Sequence, residues 1–116
     1  MHEATLAARV LAIAGEAAAG RAGRVTAVTV TVGELAGVMP DALAFAFDTL
    51  KRGTALEGAR LVLETQAVGA RCLDCGATYA PRGFPYACPA CGSAAFAIER
   101  GEDFCVKEIE LQNDED

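Results

Sequence analysis

The sequence predicts an α+β fold: a small sheet of about three strands with two helices, and a cysteine-rich ribbon inserted ahead of the last strand. Three observations carry this. Apolar residues recur at helical spacing near the N-terminus and again after residue 40. Alternating β-branched residues mark a strand between them. Two Cys-x-x-Cys pairs, Cys72/Cys75 and Cys88/Cys91, stand twelve residues apart and bring four sulfurs into one short segment.

Residues 3 to about 20 read as the first helix. Leu6, Val10, Ile13 and Ala17 fall on one face, alanine is abundant, and Glu3 sits where a negative charge complements the helix dipole. Gly20 and Gly23 stop it. Residues 24 to 32 alternate Val28, Val30 and Val32 against Thr29 and Thr31, the pattern of a strand. Gly33 and Gly37 bracket a loop. Pro40 and Asp41 open the second helix, Leu43, Phe47 and Leu50 form its apolar face, and Gly53 ends it. Residues 59 to 68 return as a strand. The final strand runs from Asp103 to Leu111, and its apolar parity switches between Phe104/Val106 and Ile109/Leu111, which indicates a bulge or an exposed edge. Cys105, within it, reads as a small core residue. Asn113 to Asp116 form an acidic tail. Residues 1–69 together with 102–116 therefore make the α/β domain, and 70–101 the ribbon.

The ribbon holds the clearest chemistry. Gly76 and Gly92 follow the two pairs directly, allowing tight turns whose N–H groups point at sulfur. Four thiolates so arranged suit a tetrahedral ion, with zinc as the structural reading. Iron in the same sulfur geometry is the alternative, and one absorbance spectrum separates them. A thioredoxin-type redox pair wants one Cys-x-x-Cys in a strand-to-helix setting, not two. Tyr79, Phe84, Tyr86 and Phe96 supply four of the seven aromatic residues and read as cover for a knuckle with little core.

Composition narrows the function further. The chain has 116 residues and a net charge of −6, against the cationic footprint of a nucleic-acid binder. Within the ribbon, Arg71, Arg82 and Arg100 are outweighed by Asp74, Glu99 and the net charge of four thiolates on a divalent ion. No apolar run reaches the ~20 residues of a membrane helix. The start has no basic leader segment, so a cytoplasmic protein is expected. His2 is the only histidine, and no phosphate loop is present, so no enzyme is expected.

His2 has chemical content despite its terminal place. The α-amine of Met1, the amide nitrogen and imidazole of His2, and the amide nitrogen of Glu3 can wrap one ion in fused chelate rings. Four nitrogens in a plane suit Ni(II) or Cu(II).

Met1-His2-Glu3, Thr5-Leu6, Val32-Gly33-Glu34-Leu35, Ala46-Phe47-Asp48, Arg52-Gly53-Thr54, Glu57-Gly58-Ala59, Cys72-Leu73-Asp74-Cys75-Gly76, Cys88-Pro89-Ala90-Cys91-Gly92 and Val106-Lys107-Glu108-Ile109-Glu110 together give a pattern. It resembles the HypA/HybF hydrogenase maturation factors over essentially the whole chain. The resemblance implies a nickel metallochaperone. It implies Ni(II) held as cargo at Met1, His2 and Glu3, and structural Zn(II) at Cys72, Cys75, Cys88 and Cys91. It also implies a HypB-type GTPase and the large subunit of [NiFe]-hydrogenase as partners, with urease maturation proteins for some members. Thr5 stands where the family often has serine. No histidine flanks the cysteine pairs, so a histidine link between the two metals is not implied here. The runner-up reading is a zinc-ribbon module for protein or nucleic-acid interaction.

Overall fold

The computed structural model describes residues 2–113. Eight elements follow one another: α1 (His2–Ala18), β1 (Arg24–Gly33), α2 (Pro40–Leu50), β2 (Arg60–Gln66), β3 (Gly69–Cys72), β4 (Thr78–Tyr79), β5 (Phe96–Arg100) and β6 (Phe104–Gln112). They form two three-stranded sheets, ordered β2-β1-β6 and β4-β3-β5. The expected small sheet with two helices and an inserted ribbon is the observed architecture. The chain divides into two compact units, one comprising the residues up to Thr31, Val38–Glu64 and Phe104 onward, the other Val32–Gly37 and Thr65–Asp103.

In the first unit β1 is the central strand, and burial on both of its faces follows from that place. Val25, Ala27 and Thr29 are buried on one parity, Val28 and Val30 on the other. Pro40 begins α2 at the position where a missing N–H costs nothing. Leu43 and Phe47 leave α2 fully buried, each contributing roughly 1.5–3 kcal/mol of hydrophobic stabilisation. The helix closes at Lys51, and Gly53 turns the chain away at φ +76°. Lys51 then donates to the Ala59 carbonyl at 2.7 Å and tethers the following loop.

α1 packs against α2 and β6, but not by the face its larger residues indicated. Ala7, Val10 and Ala14 are buried, whereas Ile13 is 43% exposed and Ala17 faces solvent. In so alanine-rich a helix hydrophobic contrast is weak around the circumference. The small side chains of Ala7 and Ala14 permit close approach to a neighbour, so they, and not the bulkier residues, mark the packed face.

β6 lies at the edge of its sheet. Phe104 and Val106 are half-buried, then Ile109 and Leu111, so the parity does switch along it. Cys105 is exposed, contrary to the expectation of a core cysteine. It points opposite to Phe104 and Val106, on the side of the edge strand that is open to solvent. Of the acidic tail, Asp114–Asp116 lie outside the described residues.

In the second unit β3 pairs antiparallel with β4 (Ala70 opposite Tyr79) and with β5 (Ala70 opposite Ile98, Cys72 opposite Phe96). Its base is a close backbone crossing. Gly33 and Leu35 donate to the carbonyls of Asp103 and Gly101, each at 2.7 Å. A Cβ on Gly33 would stand 2.1 Å from the Gly101 oxygen, so only glycine fits there. The Gln66 side chain stitches the same crossing, accepting from the Gly101 N–H at 2.9 Å and donating to Asp103 at 3.0 Å. Buried apolar side chains in this unit are few and small: Val32, Val68 and Ala70, besides Cys72 and Cys88.

Candidate metal centre

Each Cys-x-x-Cys-Gly segment folds into the same turn. In the first, Cys72 donates to Ala77 at 2.8 Å and Gly76 donates back to Cys72 at 3.0 Å, with Gly76 at φ +80°. In the second, Cys88 donates to Ser93 at 2.9 Å and Gly92 to Cys88 at 2.7 Å, with Gly92 at φ +79°. Left-handed glycines close both turns, where a side chain would be strained. The turn aims amide donors at sulfur. The N–H groups of Asp74 and Cys75 both lie 3.4 Å from Cys72 Sγ, and that of Ala90 lies 3.3 Å from Cys88 Sγ.

The two turns face each other. Cys72 Sγ is 3.6 Å from Cys91 Sγ, and Cys75 Sγ is 3.7 Å from Cys88 Sγ. All four sulfurs lie within 4.8 Å of one another. These separations are far too long for a disulfide, at ~2.05 Å. They match a tetrahedron of ~2.3 Å metal–sulfur bonds, whose edges are about 3.8 Å. Cys72 and Cys88 are buried, while Cys75 and Cys91 are exposed. The donor set and its spacing fit a four-coordinate thiolate metal and are compatible with zinc.

Electrostatics within the cluster are uneven. The N–H groups of Cys75 and then Asp74 lower the Cys72 thiol to about 6. At Cys91 the Ser93 N–H also favours the thiolate. The neighbouring sulfur of Cys72, burial, and the sulfurs of Cys75 and Cys88 outweigh it, pushing that thiol up to about 12. Four crowded sulfurs do not all ionise on their own, because like charges repel. A divalent cation at their centre removes that repulsion.

Contacts that no spacing rule announced hold the turns in register. The Ser93 hydroxyl donates to the Asp74 carboxylate, linking one turn to the other, and accepts from the Ala95 N–H at 3.0 Å. The Tyr79 hydroxyl donates to the Tyr86 carbonyl at 2.7 Å. Tyr86 meets Phe84 and Phe96 edge-on, each at 5.1 Å between ring centres. The expected aromatic cover is present, although Phe84 itself is 82% exposed.

His2 and Glu3 occupy the first turn of α1, His2 exposed and Glu3 half-buried. Met1 lies outside the described residues. The Glu3 carboxylate accepts from the Met39 N–H at 2.9 Å. That bond is the main cause holding its carboxyl below the usual carboxylate range. Among the described residues, the four cysteines are the one group of three or more His, Cys, Asp or Glu side chains close enough to share an ion. Also among the described residues, no helix is long and apolar enough to cross a membrane.

Comparison with known proteins gives a consistent picture. A family described as "Hydrogenase/urease nickel incorporation, metallochaperone, hypA" matches residues 1–111. The hydrogenase maturation factor HypA of Geobacter metallireducens is 43% identical over 112 residues, covering 97% of this chain and all of that protein. That of Geotalea uraniireducens is 44% identical over 113 residues, with the same coverage. A solution structure of the Ni metallochaperone HypA from Helicobacter pylori superimposes with a TM-score of 0.68 at 23% identity, covering 97% of this chain and 98% of that one. A second solution structure of a HypA protein gives 0.74 at 24% identity. At those identities the structures speak for the fold alone.

Proposed function

The chain belongs to the HypA family of hydrogenase and urease nickel-incorporation metallochaperones, and from that premise we propose how its two ends divide the work. The first unit is the nickel-handling domain, and Ni(II) binds as cargo at Met1, His2 and Glu3. The ribbon carries resident Zn(II) on Cys72, Cys75, Cys88 and Cys91, where four thiolates close the coordination shell and leave no open position for chemistry. The protein acts in the cytoplasm, takes part in transfer and not in catalysis, and delivers nickel to the large subunit of [NiFe]-hydrogenase with the help of a HypB-type GTPase. Partners from urease maturation are a second outlet of the same chemistry.

One observation supports the nickel reading above the others. His2 stands exposed in the first turn of α1. The first four N–H groups of a helix have no intrahelical acceptor, so binding through the amide nitrogens of His2 and Glu3 breaks no helical hydrogen bond. With the Met1 amine and the His2 imidazole they complete the square of nitrogens that Ni(II) favours. A site made from a chain end loads and unloads with little rearrangement. The amides must lose protons and the imidazole must be neutral, so affinity falls as pH falls. The deciding experiment titrates nickel into the native protein, into His2→Ala, and into a version extended before Met1. Weakened binding in both variants is expected; equal affinity in all three would sink the N-terminal site.

A further inference from the structure

The first turn of α1 is tied to the start of α2 by one side chain. Glu3 Oε2 accepts the Met39 N–H at 2.9 Å, bridging 36 positions of sequence. Met39 is the N-cap residue of α2 and has no side-chain cap of its own. The Glu3 carboxylate therefore lies in its own helix's first turn and beside the N-terminus of a second helix. Partial positive charge at both favours an anion. A carboxylate so engaged already has a donor and a favourable field, and moving it onto a cation would forfeit both.

Taking the N-terminal nickel reading as its basis, we propose that the Glu3 side chain is a positioning group and not a nickel donor. Its carboxylate latches the His2–Glu3 turn onto the α2 N-cap, so that His2 and the two amide nitrogens are presented from a fixed helix end. Glu3 then reaches the metal through its backbone alone. The latch replaces the fraying expected of a chain end and lowers the ordering cost of binding.

The test compares three variants with native protein for nickel affinity and for the visible absorption band of bound nickel. Glu3→Ala removes the acceptor. Met39→Pro removes the donor without touching the nickel segment, and Met39, at φ −91° and ψ 111°, is close to proline's range. Glu3→Gln keeps an acceptor oxygen but not the charge. Weakening of about three- to tenfold is expected for Glu3→Ala and Met39→Pro, the effect of one hydrogen bond partly open to water. Glu3→Gln should stay within about twofold of native, since it can re-form that bond, and the band should not move in any variant. A glutamine variant as weak as the alanine one, with a shifted band, would make the carboxylate a ligand and overturn the proposal. So would native affinity in both Glu3→Ala and Met39→Pro. Amide exchange at Met39 in metal-free protein reports the latch itself: slow in native and Glu3→Gln, fast in Glu3→Ala. Fast exchange in native protein removes the latch. Nickel binding that does not depend on His2 removes the N-terminal site, and the positioning role with it, while leaving slow exchange intact.

Discussion

Stripping the metal from the four cysteines should unfold the second unit and leave the first standing. The second unit has about 45 residues. At roughly 0.05–0.15 kcal/mol per residue its whole stability would be about 2–7 kcal/mol. Structural zinc on such ligands contributes about 10–16 kcal/mol at neutral pH. The metal term exceeds the total, so the apo unit has no net stability left. Its core explains why: apart from Cys72 and Cys88, the buried apolar side chains are Val32, Val68 and Ala70. The first unit keeps Val10, Val28, Val30, Leu43, Phe47 and Leu56 buried and owes none of them to metal. The sequence supplies a convenient readout. It has no Trp and two Tyr, Tyr79 and Tyr86, both in the second unit, whereas both helices belong to the first. Addition of a strong chelator should abolish the near-ultraviolet tyrosine circular dichroism and preserve the helical signal at ~222 nm, given that α-helices dominate it. Loss of both signals together, or an unchanged tyrosine signal in protein shown to be metal-free, would refute this reasoning.

Three further outcomes follow from single contacts. Asp74→Ala breaks the bridge to Ser93 without removing a cysteine, so the metal proposed for the cluster should still bind but with affinity reduced about 10- to 100-fold, measured by competition with a chromophoric chelator. Phe47→Ala empties a fully buried site and should cost about 3–5 kcal/mol in urea denaturation followed by helix signal. In metal-loaded protein Cys105, exposed and outside the cluster, should react with a thiol reagent well before the other four cysteines; Cys105→Ser should abolish that fast phase and leave metal content unchanged.

How much of this was legible in the sequence depends on how local each signal is. β1 could be read because Val28, Val30 and Val32 alternate with threonines. α2 could be read because Pro40 and Gly53 bracket it. The four-cysteine cluster could be read because two Cys-x-x-Cys-Gly turns each determine their own geometry, leaving only their mutual approach to the fold. The face of α1 was misassigned because alanine gives every direction of that helix nearly the same hydropathy, and close packing selected Ala7 and Ala14. Cys105 was misassigned because free cysteine is more often buried than not, while its exposure depends on β6 being an edge strand, a matter of topology. The Asp74–Ser93 and Glu3–Met39 contacts join residues 19 and 36 positions apart. Each involves one ordinary polar residue whose partner no periodicity points to. In the second case the partner is a backbone N–H, which any residue but proline provides.

The strand order β2-β1-β6 also has a consequence for synthesis. Its central strand is made before either neighbour. One edge of β1 can be covered once β2 is complete at Gln66, but the other waits for β6, which ends at Gln112. The ribosome adds ~5–20 residues per second, so the Val-Thr-Val-Thr-Val run stands with one open edge for about 2–9 s in every newborn chain. Such an edge is a template for pairing with other strands. The four cysteines are synthesised during that interval, after β2 and before β6, so the segment that carries them is complete before the first sheet can close.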